Sequence, residues 1–241
     1  MLFKGFHLRD ISKGSVLARR GLSAFRVTSQ ILAALCGMEV LLFTRYPVPG
    51  KVKTRLIPAL GAEGAEGLHR WMVERTVAQI TQPAPDRQWR GRVCFTGGSE
   101  QSMAEWLGAT LPFEEQAEGD LGQRLLFGML ASRARGHDRV VVIGTDCPGL
   151  TAEMIDQAFS ALDRQPMVVG PAHDGGYYLL GLRGAPEAAL FTGIDWGLGT
   201  VLAQTLRQAS VAGLGWELLP EMQDVDFPED VKEARRFGWR A

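Results

Sequence analysis

Val140-Val141-Val142-Ile143-Gly144-Thr145-Asp146-Cys147-Pro148 is the stretch that decides the fold. Four consecutive β-branched residues with no polar position among them suit a strand buried on both faces, as in the middle of a parallel sheet. Working outward from it, short strand-like runs alternate with longer segments of helical period. Toward the N-terminus, residues 39–44 read as a first strand, and Leu68, Met72, Val73, Thr76, Val77 and Ile80 fall on one face of a helix. Residues 92–96 give another strand and Ser99 caps a short helix through Trp106. Leu121, Leu125, Leu126, Met129 and Leu130 mark a further helix just before 140–143. Toward the C-terminus, Thr151 begins a helix that turns Met154, Ile155, Ala158, Phe159 and Leu162 inward. Strands at 167–170 and 177–182 are joined by His173-Asp174-Gly175-Gly176, and helices follow near 186–191 and 198–209. A short strand at 216–219 leads to Asp224-Val225-Asp226 and a terminal helix opened by Pro228. This alternation predicts an α/β fold, a three-layer α/β/α arrangement around a mostly parallel, doubly wound sheet with one close strand pair antiparallel.

The chain has 241 residues, 46% hydrophobic and 22% charged, enough to bury a sizeable core. Its formal net charge of −1 sets up no overall field to recruit nucleic acid or an anionic membrane, so anion binding has to come from local clusters. Cys36, Cys94 and Cys147 lack the short paired spacing of a zinc site or a disulfide framework, which fits a reducing, cytoplasmic setting. No apolar run approaches the roughly 20 residues of a membrane-spanning helix, so a soluble protein is expected. Residues 1–37 stand apart in composition. They set Lys4, Arg9, Lys13, Arg19, Arg20 and Arg26 against Asp10 alone, a net +5 where the whole chain has −1, which leaves −6 for the remainder. Such an arginine-rich, acid-poor leader has the composition of a transit peptide, and residues 31–36 form a short apolar stretch before a cysteine. That stretch is short for a signal peptide, and Leu35 is bulky for a lipidated or processed Cys36. We therefore read residues 1–37 as a mobile or loosely helical extension upstream of Met38, a candidate start of translation, and residues 38–241 as one domain.

In doubly wound sheets ligands bind beyond the carboxyl ends of the strands, where strand order reverses, so the loops after strands matter most. The first is Arg45-Tyr46-Pro47-Val48-Pro49-Gly50-Lys51-Val52-Lys53-Thr54-Arg55-Leu56, with cations and no acid. Its prolines stiffen the path, Gly50 permits a turn, and Lys51, Lys53 and Arg55 can neutralise a diphosphate. A charge run is usually a solvated face, but its place after the first strand favours an anion cradle. Neither a Walker loop nor a Gly-x-Gly-x-x-Gly is present. Asp146, at the tip of the central strand, is a hard oxygen ligand of the kind that Mg2+ or Mn2+ bridging two phosphates requires. Thr151 already supplies the cap of the next helix, which weakens a purely capping role for Asp146. Cys147 has no identifiable partner for nucleophilic chemistry and reads as a small packed residue. His173-Asp174-Gly175-Gly176-Tyr177 carries a strong hairpin signal, so a turn is its ordinary reading. Of the two carboxylates in Asp224-Val225-Asp226, only Asp226 is expected to face the site, with helix capping before Pro228 as its other role.

These segments together resemble bacterial nucleotide-diphospho-sugar transferases of the glycosyltransferase A fold, some of which are linked to arsenosugar biosynthesis. The resemblance runs from Met38 to near the C-terminus. It is carried by the loop at 43–56, Asp120-Leu121-Gly122-Gln123-Arg124, Gly144-Thr145-Asp146-Cys147-Pro148-Gly149-Leu150, Gly170-Pro171-Ala172-His173-Asp174-Gly175-Gly176-Tyr177 and Asp224-Val225-Asp226. Each is weak alone, and their common order is specific. The family is similar in turn to 2-phospholactate guanylyltransferases and molybdenum-cofactor nucleotidyltransferases. The latter open with a glycine-rich loop where this chain has prolines and cations, a departure that favours sugar transfer. The resemblance implies that Lys53 and Arg55, with Arg45 and Lys51 beside them, hold a diphosphate, that Asp120 and Arg124 lie on the nucleotide side, and that Asp146 and Asp226 ligate Mg2+ or Mn2+. Asp174 is the candidate general base for an acceptor hydroxyl, with His173 beside it and Asp195 as the substitute. Tyr177 and Trp196 offer rings for a sugar or acceptor.

Three activities fit these residues. Glycosyl transfer from a nucleotide-diphospho-sugar to a small-molecule acceptor releases a nucleoside diphosphate. Nucleotidyl transfer to a small phosphorylated or cofactor-like acceptor releases pyrophosphate. A non-catalytic nucleotide-binding module releases neither.

Overall fold

The computed structural model of the protein describes residues 37–82 and 87–240. The extension expected over residues 1–37 lies, apart from Gly37, outside the described residues, as does Cys36. Gly37 itself opens the first strand. Seven strands form one sheet: β1 (Gly37–Arg45), β2 (Trp89–Thr96), β3 (Phe113–Glu115), β4 (His137–Ile143), β5 (Met167–Pro171), β6 (Tyr177–Arg183) and β7 (Trp216–Leu218), in the order β3-β2-β1-β4-β6-β5-β7. The helices between them are α1 (Ile57–Thr81), α2 (Glu100–Leu107), α3 (Leu121–Ala134), α4 (Ala152–Arg164), α5 (Val201–Val211) and α6 (Val231–Arg236). Among the described residues no helix is long and apolar enough to cross a membrane.

The β-branched run at 140–143 lies where its pattern requires, in β4, hydrogen-bonded on one side to β1 in parallel and on the other to β6 in antiparallel. Only β6 runs against its neighbours; β1, β2, β3 and β4 are parallel, as are β5 and β7. The reason is connection length. Residues 172–176 between β5 and β6 are too few for the crossover that a parallel pair needs, so the chain must turn back. Both faces of the sheet are covered. In β1, Val40 and Leu42 turn to the face packed by Val73, Val77 and Ile80 of α1 and by Ile155, Phe159 and Leu162 of α4. Leu41, between them, turns to the opposite face with Leu125 and Met129 of α3 and Ala209 of α5. Leu121 and Leu130 of α3 remain partly exposed.

Sequence periodicity missed β3, whose three residues give too few positions for alternation to register. The helix expected near 186–191 is a 3-10 turn over Ala188–Phe191, and further short 3-10 turns, Thr54–Leu56 and Pro228–Asp230, precede α1 and α6. The helix expected at 198–209 begins later, at Val201.

Strand order reverses between β1 and β4, because the chain builds outward from β1 to β3 and then returns to the other side of β1. Since β1, β4, β5 and β7 all point the same way, the loops that follow them emerge at one edge. A satellite core completes the arrangement. Leu56, Leu68 and Met72 pack with Val225, Val231, Ala234 and Trp239, which ties the segment after β7 to the start of α1 and so to the basic loop.

Candidate active site

The basic loop between β1 and α1 is bent by Gly50 at φ 78° and by Lys53 at φ 45°, the one non-glycine residue in the left-handed region among the described residues. That conformation costs a lysine roughly 1–2 kcal/mol, and here it directs the side chain inward. The Lys53 ammonium, almost fully buried, reaches Asp146 Oδ1 at 2.8 Å and Asp226 Oδ1 at 2.7 Å, and donates to the Val225 carbonyl at 2.7 Å. Arg55 pairs with the other oxygen of Asp226 at 3.1 Å and lies over the Phe227 ring. A backbone bond from Val225 N–H to the Asp146 carbonyl, 2.9 Å, joins the loop after β4 to the segment after β7. Burial opposes charge on both Lys53 and Asp146. Their mutual attraction, with that of Asp226 for Lys53, outweighs it, leaving the lysine pKa raised and the Asp146 pKa lowered.

Around this knot lies a cleft of about 670 Å³ whose wall includes Arg45, Lys51, Arg55, Arg124 and Gln116. His69, buried on α1, also lines it and donates Nε2–H to the Arg45 carbonyl at 2.9 Å, holding the start of the basic loop. Burial pushes the His69 pKa down from its ordinary value. Gln116 spans β1 and β2, donating to the Cys94 and Thr44 carbonyls.

A smaller chamber of about 210 Å³ adjoins the cleft and shares Asp146, Asp226 and Tyr177 with it. Asp174 stands in its wall, with Oδ1 accepting from Gly176 N–H at 2.7 Å. The hairpin turn thus sets the Asp174 carboxylate in the chamber wall. Gly175, at φ 84°, must be glycine, because a Cβ there would collide with the Gly199 carbonyl. Trp196 and Tyr177 meet edge to face at 6.5 Å, and Gly122 of α3 leaves room for the Trp196 indole, which a Cβ would meet at 2.7 Å.

The expectation that only one carboxylate of Asp224-Val225-Asp226 faces the site is wrong. Residues two apart on an extended segment share a face, and Val225 takes the other, fully buried in the satellite core. Asp174, Asp224 and Asp226 can bring carboxylate oxygens within 4.8 Å of one another. Burial, and then the negative charge of Asp174, push the Asp224 pKa up to about 6. The capping role considered for Asp226 falls to Asp230, whose carboxylate accepts from Phe227 N–H at 2.8 Å.

Other expected residues stand outside both chambers. Asp120 caps α3 by accepting from Gln123 N–H at 2.8 Å. His173 faces Glu221 at 3.6 Å, and Asp195 is held by Gln204. Neither Asp224 nor His69 was singled out from sequence. The spacing of Asp224 to Asp226 was the available signal for the first, whereas His69 sits in an apolar helical stripe and reads as core. Cys94 and Cys147 are buried and unlinked, and burial raises both thiol pKa values, that of Cys94 to about 12.

Against solved structures, the chain is similar to a proposed nucleotide-diphospho-sugar transferase from Desulfovibrio desulfuricans G20, with 32% identity, 85% of this chain and 88% of that one covered, and a TM-score of 0.77. It belongs to this family of nucleotide-diphospho-sugar transferases. The family model for uncharacterized proteins conserved in bacteria, DUF2064, matches residues 79–198 of this transferase. A more distant likeness, in fold alone, is to 4-diphosphocytidyl-2C-methyl-D-erythritol synthase from Anaerococcus prevotii, at 9% identity, with 87% of this chain and 99% of that one covered and a TM-score of 0.57. No curated protein matches the transferase by sequence.

Proposed function

We propose that this transferase is a cytoplasmic, metal-dependent glycosyltransferase that moves a sugar from a nucleotide-diphospho-sugar to a small-molecule acceptor. One observation carries the reading. The basic cleft and the smaller chamber meet at Asp146 and Asp226, so a diphosphate in the first and an acceptor in the second would adjoin at these carboxylates.

The residues fit a hard divalent cation, because Asp226 clusters its carboxylate oxygens with those of Asp174 and Asp224, and Lys53 draws Asp146 toward Asp226. Asp146 and Asp226 would hold Mg2+ or Mn2+, which when bound supplies positive charge to the departing diphosphate. Lys53 and Arg55 neutralise these same carboxylates in the structure and would pass to the diphosphate as the carboxylates take up the cation. Arg45 and Lys51 lie along the same wall, and Arg124 stands on the nucleotide side. Asp174 acts as general base through the carboxylate oxygen that Gly176 does not hold. It takes the acceptor's hydroxyl proton while the acceptor oxygen bonds to the anomeric carbon. The bond from that carbon to the diphosphate breaks, and its electron pair leaves with the nucleoside diphosphate. Trp196 and Tyr177 supply apolar surface at the acceptor.

Incubating the full chain with nucleotide sugars and Mn2+ tests this reading. Release of a nucleoside diphosphate is expected, and release of pyrophosphate would instead mean nucleotidyl transfer. Asp174→Asn is expected to lower kcat by about 10²–10⁴-fold; unchanged turnover would remove Asp174 from the base role. If nucleotides bound without turnover and Asp174→Asn left that binding unaltered, the chain would be a binding module.

A further inference from the structure

Gln116 lines the basic cleft just past the end of β3. Its side chain lies against the ends of β1 and β2, where Nε2 donates to the Cys94 carbonyl at 2.8 Å and to the Thr44 carbonyl at 3.2 Å. Both partners are main-chain carbonyls, which can only accept, so the amide cannot be turned over. Its two protons are therefore spent, and Oε1 is left as a fixed acceptor with no donor among the described residues.

Strand register sets what stands beside it. Arg45 pairs with Thr96, and Gln116 follows Glu115, the partner of Phe95, so Arg45, Thr96 and Gln116 form a row across the carboxyl ends of β1, β2 and β3. All three line the cleft. Alternation puts Arg45 and Thr96 on the sheet face of Phe43 and Cys94, which is covered by α3, and Arg124 of α3 lines the cleft as well. The row thus offers one fixed acceptor beside donors from Thr96, Arg45 and Arg124, with Phe43 and Leu121 as apolar surface for a flat ring. In the order β3-β2-β1-β4, the tip of β4 with its Asp146 lies three strand spacings away, roughly 14 Å. With its phosphates at Asp146, an extended nucleoside diphosphate brings its base to this row.

Uracil N3–H lies between two carbonyl oxygens, and guanine N1–H lies beside O6. Either base sets a donor on Gln116 Oε1 and turns a carbonyl oxygen toward the neighbouring donors. Adenine and cytosine carry a ring-nitrogen lone pair at that position of the same edge, opposed to the lone pairs of Oε1. The two-point contact that a glutamine can make to adenine needs its amide N–H, which here is committed to the main chain.

We infer that Gln116 reads the nucleobase of the donor through a ring N–H, and that this base is of the uracil or guanine type and not adenine or cytosine. This rests on the transferase reading above and deepens it, because diphosphate chemistry alone is indifferent to the base.

The test is isothermal titration calorimetry on the full chain with Mg2+, using UDP, GDP, CDP, ADP and pyrophosphate. Expected is UDP or GDP binding about tenfold or more tighter than CDP and ADP, and the tighter of the two identifies the base. Its analogue without the ring proton, 3-methyl-UDP or 1-methyl-GDP, should bind about tenfold more weakly than the parent nucleotide. Gln116→Ala should erase that difference and leave pyrophosphate affinity unchanged, with circular dichroism showing that the variant is folded. The methylated pair tests the same contact in the unaltered protein. CDP or ADP binding as tightly as UDP and GDP, a methylated analogue equal to its parent, or Gln116→Ala weakening pyrophosphate as much as the nucleotide would each overturn the inference. If no nucleotide binds, the donor reading falls and takes this one with it; if all bind without preference, only the base inference falls.

Discussion

Lys53 holds two carboxylates with one buried ammonium and pays for the reach with a left-handed backbone. Removing that charge leaves Asp146 without its partner, while Asp226 keeps only Arg55. Breaking a buried pair costs about 3–5 kcal/mol, and the Asp146 side chain is 49% exposed, so solvent screening reduces the figure here. Lys53→Met is therefore expected to cost about 1–3 kcal/mol in thermal or urea denaturation. Millimolar Mn2+ should restore part of the loss in the variant, because it supplies the missing positive charge; no difference between variant and parent with or without the ion would show that the knot is not electrostatic. Residue chemistry was partly legible in the sequence. Lys53 and Asp146 stood out by charge and position, but their contact did not, and the pairing of Asp224 with Asp174 depended on a face assignment that failed.

Among the elements, α3 shows how a helix shapes the smaller chamber by packing as well as lending Arg124 to the cleft. Its Asp120 carboxylate is used as an N-cap, while Gly122 brings Trp196 and the Phe191 carbonyl against the helix, each 2.7 Å from where a Cβ would stand. In an unconstrained helix Gly→Ala gains about 1 kcal/mol. Overpacking here is worth about 1–3 kcal/mol in the other direction, so Gly122→Ala is expected to lower Tm, and less so in a Trp196→Ala background where part of the collision is gone. A stabilised Gly122→Ala would mean that the indole moves freely and is not a fixed wall of the chamber. The segment after β7 is the complementary case. It has no regular structure at Asp224–Asp226, and the satellite core through Val225 holds it in place.

At the scale of the whole molecule, Glu39 joins the sheet to its flank. This carboxylate is buried in β1 and accepts from Arg92 at 3.0 Å and Arg135 at 2.9 Å. Burial works to raise its pKa, but hydrogen bonds from Ser132, Arg135 and Arg92 prevail and leave it below the ordinary value of 4.5. A carboxylate with a depressed folded pKa contributes stability that is full above its unfolded value and lost as pH falls through its folded one. Between neutral pH and about pH 5, Glu39→Gln is thus expected to be less stable than the parent by about 1–3 kcal/mol. The gap should close as pH drops below 4.5 toward the folded pKa. Denaturant midpoints measured across that range would contradict the assignment if the gap stayed constant.

By itself the sequence determined the class of this protein and the sheet edge at which the basic loop and Asp146 emerge. Periodicity is local, so the β-branched run at 140–143, the stripe from Leu68 to Ile80 and the caps at Ser99 and Thr151 could be read within a few turns of chain. Parallel strands then oblige their following loops to emerge together. Only the tertiary structure decided which charges meet there. Lys53 and Asp226 are 173 residues apart, and their contact depends on β1 and β4 being neighbours and on the satellite core carrying the C-terminal segment back beneath the basic loop. The reversal of β6 was legible from its short connection to β5, whereas its docking against β4 was not, because strand neighbours are chosen by long-range packing of both faces at once.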